Sequence, residues 1–87
     1  VKVGPGNTFS PNSLRISVGD TINWESQGGH HDVAQSKSQD EPCVAFEGGW
    51  KSSLFSDSAK TYSQTFSKAG NFAAYCTIGN HCADGMS

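Results

Sequence analysis

The chain is short, weakly charged and rich in glycine. Its 87 residues are 34% hydrophobic and 16% charged, include 10 glycines and 3 cysteines, and carry a formal net charge of -2. This length predicts one domain over residues 1–87 with a small core, so we expect a disulfide or a metal to add stability. No apolar run approaches the roughly 20 residues of a transmembrane helix. The lysines and arginines are scattered, which argues against a nucleic-acid partner.

The N-terminal third shows the period-two alternation of strands. Residues 14–18 alternate Leu, Ile and Val with polar side chains, the Gly19-Asp20 pair is typical of a turn, and the alternation resumes over 22–24. We therefore predict a β-hairpin in this part of the chain.

The C-terminal third shows a second set of strand signals. Residues 62–66 alternate, 68–71 are typical of a turn, and 72–75 resemble a buried strand. The intervening stretch 35–60 is irregular, with at most one helical turn near 52–56. Several short strands separated by turns predict an all-β antiparallel sandwich.

The residues with metal-binding chemistry lie at the C-terminal end. Cys76, His81 and Met86 follow one another at equal spacing. A thiolate, an imidazole and a thioether suit copper, which cycles between Cu(I) and Cu(II), better than any hard cation. The alternative interpretation is a buried structural cysteine, a loop histidine and a disordered terminal methionine.

A second histidine is expected to complete a trigonal set of donors, and two adjacent residues are candidates. With the period of a strand, His31 shares a face with apolar Val33, whereas His30 shares one with Asp32. We therefore favour His31 over His30, and over a strand histidine with no ligand role.

These residues carry a resemblance to a known family. A His-Asp-Val strand, followed far downstream by cysteine, histidine and methionine with four residues between each pair, resembles the type 1 copper pattern of cupredoxins. The matching residues are His31-Asp32-Val33, Cys76, His81 and Met86. The resemblance implies a Greek-key β-sandwich with copper bound by His31, Cys76 and His81, and Met86 as a weak axial ligand.

Two further cysteines extend the resemblance to one branch of the family. Cys82, directly after the ligand histidine, and the upstream Cys43 are similar to a disulfide pair beside the copper of phytocyanins. Secreted serine-rich fungal proteins with cupredoxin domains are similar in three more segments. These are Val18-Gly19-Asp20-Thr21-Ile22, Pro42-Cys43 and Phe46-Glu47-Gly48-Gly49. A zinc site is the alternative for Cys43 and Cys82, but the chain has no C-x-x-C pair.

The family pattern also sets expectations for the surroundings of the copper. It implies that backbone amides near Asp32 and Thr77 support the thiolate. Its members have a final core strand after the axial-ligand loop, whereas this sequence stops at Ser87. We therefore expect a sandwich without that strand, and two alternatives stay open for Met86: an axial ligand or part of a frayed chain end.

The resemblance implies a carrier of single electrons that exchanges them with an unknown redox protein or small-molecule reductant. We expect a secreted monomer, free or anchored at the cell surface within a longer precursor; the first residue, Val1, fits a removed signal peptide or an excised domain. A structural domain, or one that stores or delivers copper, is the rival. We do not expect an enzyme, since no G-x-S-x-G or H-E-x-x-H motif occurs and His30 is the one spare histidine.

Overall fold

The structure is a computed structural model that describes residues 1–56 and 60–87. The described residues contain six strands and no helix, which confirms the all-β class. The strands are β1 (Lys2–Val3), β2 (Phe9–Ser10), β3 (Thr21–Ser26), β4 (Ala34–Gln35), β5 (Thr61–Thr65) and β6 (Ala74–Tyr75). Within these ranges, no helix is long and apolar enough to cross a membrane.

The strands form two sheets. The larger has the order β2-β1-β3-β5, in which β1 runs parallel to β3 and the other pairs are antiparallel. The smaller consists of β4 and β6 in antiparallel register. Along β3, alternate side chains turn inward, so Trp24 and Ser26 are buried while Thr21 and Asn23 are exposed. Trp24 lies opposite Tyr62 of β5, a cross-strand aromatic pair that fixes this register.

One buried cluster connects the larger sheet with residues that flank the strands of the smaller sheet, and it includes Met86. It consists of Val3, Phe9, Trp24, Val33, Phe55, Phe66, Cys76 and Met86. Two of the predicted copper ligands are therefore part of the hydrophobic core. Since a core residue is held by contacts on all sides, the core itself restricts where their sulfur atoms lie.

The predicted hairpin at the N-terminal end is wrong. Residues 14–18 form no strand, and Leu14 and Val18 are 53% and 61% exposed. Strand β3 already has β1 on one edge and β5 on the other, so no edge remains for a third neighbour. The preceding turn bonds instead to the end of β5, through Gly19 N to Phe66 O at 2.7 Å and Phe66 N to Asp20 O at 3.0 Å.

Two other local expectations also need correction. The predicted helical turn near 52–56 is extended, and Phe55 forms a β-bridge with His31. The buried strand predicted over 72–75 is limited to Ala74–Tyr75, because Phe72 is largely exposed. The alternating segment 62–66 is a strand as predicted, over Thr61–Thr65.

The described residues that follow β6 contain no strand. Residues 76–87 form turns and irregular backbone. A groove of about 640 Å³ opens beside this segment, and residues of both sheets line it together with Ser87. Its wall includes an aromatic cluster in which Trp50 lies 5.2 Å from Trp24 and 5.9 Å from Phe66, between ring centroids.

Candidate metal centre

His31 is held by backbone pairing on one side and by glycines on the other. Its amide donates to Phe55 O at 3.2 Å, and the Phe55 amide donates back at 2.7 Å. The ring packs against Gly4 and Gly29, which both have positive φ. A Cβ at Gly29 would lie 2.8 Å from His31 Nε2, so this face of the ring tolerates only glycine. The packing leaves Nδ1 as the nitrogen that faces the site.

Cys76 follows β6 directly and is almost fully buried. Burial raises the pKa of its thiol, while hydrogen bonds from the amides of Asp32 and Ile78 act in the opposite direction. The negative charge of the Asp32 carboxylate also raises this pKa, and the net shift is upward, which favours the protonated thiol. A metal that binds Cys76 therefore displaces the thiol proton, because the thiolate is the form of cysteine that binds a metal.

His81 lies in a compact loop whose backbone hydrogen bonds close on themselves. Its amide donates to Ile78 O at 3.1 Å, and its carbonyl accepts from Met86 N at 3.0 Å. The next residue, Cys82, forms the expected disulfide with Cys43. The disulfide joins this loop to the irregular segment that follows β4, so His81 is fixed from two directions.

The three side chains meet at one point. His31 Nδ1 lies 3.2 Å from His81 Nδ1, and Cys76 Sγ lies 3.5 Å from His81 Nδ1. All three donor atoms are within 4.8 Å of one another. Burial, reinforced by the His81 and His30 rings, lowers the pKa of His31, which favours the neutral imidazole that binds metals. Two imidazole nitrogens and a buried sulfur suit copper or zinc in chemical type.

Comparison with known proteins distinguishes between these metals. The profile of the copper binding proteins, plastocyanin/azurin family, matches residues 3–87. The chain belongs to this family. The resemblance inferred from the sequence is therefore confirmed, and copper is the metal that this family binds.

Two relatives of this copper-binding protein cover its whole length. A halocyanin from Natronomonas pharaonis is 35% identical over 91 residues, which cover 99% of this chain and 50% of the relative. An extracellular serine-rich protein from Arthroderma benhamiae is 28% identical over 93 residues, which cover 100% of this chain and 36% of the relative. The chain thus spans half or less of these relatives. No solved structure matches it significantly.

Met86 is better fixed in this cupredoxin than its position near Ser87 suggests. Its side chain has 0% exposure and packs in the cluster that contains Cys76. Its carbonyl accepts from Cys76 N at 3.1 Å, and its amide donates to His81 O at 3.0 Å. Of the two alternatives for Met86, a frayed end is therefore wrong, because two backbone hydrogen bonds link it to Cys76 and His81.

The sequence predicts that backbone amides near Asp32 and Thr77 support the thiolate. The amides of Asp32 and of Ile78, the residue after Thr77, both act to lower the pKa of Cys76. The Thr77 amide donates instead to the Asp32 carboxylate at 2.6 Å, and the Thr77 hydroxyl donates to its other oxygen. The sequence alone does not separate the amides of Thr77 and Ile78, because the local backbone of the loop decides which of them bonds to the Asp32 carboxylate.

The structure also separates the two adjacent histidines. His31 is buried in the donor group, whereas His30 is exposed and lies outside it. Lys51, which the sequence did not single out, places its Nζ 3.9 Å from Asp32 Oδ2. It lies there because Lys51 forms a β-bridge with Ala34, two residues after Asp32.

Proposed function

We propose that this chain is a blue copper protein that carries single electrons, with copper bound by His31, Cys76 and His81 and capped by Met86. The observation that carries the proposal is the convergence of His31 Nδ1, His81 Nδ1 and Cys76 Sγ within 4.8 Å, in a protein of the plastocyanin/azurin family. Met86 is buried, and its backbone forms hydrogen bonds with Cys76 and His81. This placement supports the role of Met86 as the axial ligand.

The role of the protein is to keep the donor atoms in place while the charge of the site changes. Bound copper would supply the redox chemistry, because it cycles between Cu(I) and Cu(II). The Phe55 bridge fixes His31, the Met86 carbonyl fixes the Cys76 backbone, and the disulfide fixes the loop of His81. Electron transfer is fast when ligands do not rearrange, so a restrained donor set favours a carrier.

His81 is the proposed point at which electrons enter and leave. It is half-buried, whereas His31 and Cys76 are buried. The loop around it, including Gly79, Asn80 and Ala83, is exposed. A partner therefore reaches the site most directly through the His81 ring. The partner class is a redox protein or a small-molecule reductant, and we propose no chemical transformation of a substrate.

The disulfide and the relatives support an extracellular location for the protein. The Cys43–Cys82 disulfide fits an oxidising compartment, and one relative is named an extracellular protein. We propose that this region acts outside the cell as a monomeric domain over residues 1–87. Because relatives are at least about twice as long, we propose that it works within a longer protein, such as one anchored at the cell surface.

Titration of the metal-free protein with Cu(II) tests the proposal. We expect one equivalent of copper to produce an intense blue thiolate-to-copper charge-transfer band, which one equivalent of reductant bleaches and an oxidant restores. Cys76→Ser removes the sulfur and is expected to abolish the band while the Cys43–Cys82 disulfide remains.

The outcomes separate the candidate functions. Weak d-d absorption alone contradicts a type 1 site. A blue band that cannot be cycled through reduction and reoxidation contradicts the electron carrier and supports storage or delivery of copper instead.

A further inference from the structure

One buried carboxylate lies beside the proposed copper site. Among the residues that the structure describes, Asp32 is the only buried acidic one. Its Oδ1 accepts the Thr77 N–H at 2.6 Å, and its Oδ2 accepts the Thr77 hydroxyl. Lys51 Nζ lies 3.9 Å from Oδ2, at the long limit of an ion pair. The Lys51 side chain is 59% exposed, whereas that of Asp32 is 3% exposed.

The position of Asp32 connects two of the donor residues. It directly follows His31 in the chain, and its carboxylate accepts hydrogen bonds from Thr77, the residue after Cys76. A charge at this position lies within the same buried volume as the donor atoms. Water screens such a charge poorly, so it acts on its surroundings more strongly than a surface charge does.

The hydrogen bonds of Asp32 do not themselves require a charge. A neutral amide of the same size can accept the Thr77 N–H with its oxygen and donate to the Thr77 hydroxyl with its nitrogen. Burial of an ionised carboxylate costs free energy, and an exposed lysine at 3.9 Å compensates it only in part. The hydrogen bonds to Thr77 therefore do not explain why an acidic residue occupies this position.

We propose that the Asp32 carboxylate is a fixed negative charge that favours Cu(II) over Cu(I), and that Lys51 is its adjustable counter-charge at the surface. This inference rests on the proposed function. A negative charge beside the metal stabilises the more positive oxidation state and lowers the reduction potential. Lys51 opposes this effect, so the potential depends on how closely the ammonium approaches Asp32.

Two substitutions with opposite expected effects on the reduction potential test the inference. Asp32→Asn removes the charge and keeps the size and both Thr77 contacts, so the Cu(II):Cu(I) ratio at a fixed applied potential is expected to shift severalfold toward Cu(I). Lys51→Gln removes the counter-charge and is expected to shift the ratio toward Cu(II). Spectroelectrochemical titration of the blue band measures both.

Lys37→Gln is the matched control. Lys37 is also 59% exposed, but it pairs with the exposed carboxylate of Glu41. We expect this variant to leave the ratio unchanged, because the same loss of charge occurs beside a solvated group. Thr77→Val separates geometry from charge, since it removes the hydroxyl contact and keeps the negative charge. It is expected to lower the thermal midpoint of the metal-free protein.

Each outcome decides the inference. The inference is overturned if the Asp32→Asn and Lys51→Gln proteins are blue but have unchanged reduction potentials. It is also overturned if both potentials shift in the same direction. Either result leaves the proposed function intact. If Asp32→Asn fails to fold, the sign of the Lys51→Gln shift decides, because an exposed lysine does not control folding. If the unsubstituted protein gives no blue band, the proposed function fails first.

Discussion

The loop from Ile78 to Met86 and the segment 11–20 are similar in length but differ in how they are held. The loop bonds to itself through the amides of His81, Asp84 and Met86, and a disulfide joins it to the rest of the molecule. The segment 11–20 forms no strand and is exposed except at Ile16. In the sequence, ligand spacing predicts metal binding in the loop, and alternation predicts a strand over residues 14–18 of the segment. The difference shows that alternation orders a segment only where a free sheet edge exists to pair with it.

The largest effect in this comparison is expected from the histidine pair. His31→Ala removes a buried donor, so we expect loss of the blue band and of most copper affinity. His30→Ala is the matched control: it changes an exposed neighbour outside the donor group and is expected to preserve the band. The reverse result, from parallel copper titrations, would assign the ligand to His30.

The disulfide is expected to give the next largest effect. A Cys43→Ala/Cys82→Ala variant loses a link between positions 39 residues apart. In the chain-entropy model such a link stabilises the folded state by about 4 kcal/mol. Urea unfolding of the metal-free protein measures the loss, and dithiothreitol should destabilise the unsubstituted protein similarly. Equal unfolding midpoints with and without the link would show that hydrogen bonds alone hold the loop.

Substitution of Met86 tests whether this residue binds the copper, and the readout is the reduction potential of the site. Met86→Gln places a harder oxygen over the copper and is expected to lower the reduction potential, because it favours Cu(II). Met86→Leu removes the donor, keeps an apolar side chain in the core, and is expected to raise the potential. Copper is retained in both cases, since a weak axial bond contributes little to affinity. Voltammetry that finds neither potential changed would exclude coordination by Met86.

Two glycines with similar backbone conformations provide a smaller, local test. Gly29 and Gly19 have φ of +83° and +92°, so alanine strains either position by about 1 kcal/mol. Only at Gly29 does the added Cβ meet the His31 ring, whereas nothing lies within 4 Å at Gly19. We expect Gly29→Ala alone to shift the blue band. Identical spectra for the two variants would mean that the ring moves without effect on its donor atom.

The smallest effect is expected in the exposed segment itself. Val18→Ala should change the free energy of unfolding by no more than about 0.5 kcal/mol, because the side chain is largely solvated. Val33→Ala makes the same change at a fully buried position of the cluster and should cost about 2 kcal/mol. Chemical denaturation compares them. A comparable loss at Val18 would place residues 14–18 in a packed hairpin after all.

The sequence by itself determined the all-β class, the copper-binding family and the donor types at the C-terminal end. These features depend on local information. The thiolate, imidazole and thioether of Cys76, His81 and Met86 lie within eleven residues, so their spacing along the chain does not depend on how the rest of the chain folds. The choice between His30 and His31 was also local, because a strand alternates its side chains.

The tertiary structure alone decided the features that join distant parts of the chain. Residues 14–18 carry a strand pattern, but whether they pair depended on β1 and β5 occupying both edges of β3. The Ile78 amide and the ammonium of Lys51 reach the site through loop geometry and a β-bridge, neither of which leaves a periodic signal. Met86 is held by backbone hydrogen bonds to Cys76 and His81, which form only once the loop has folded.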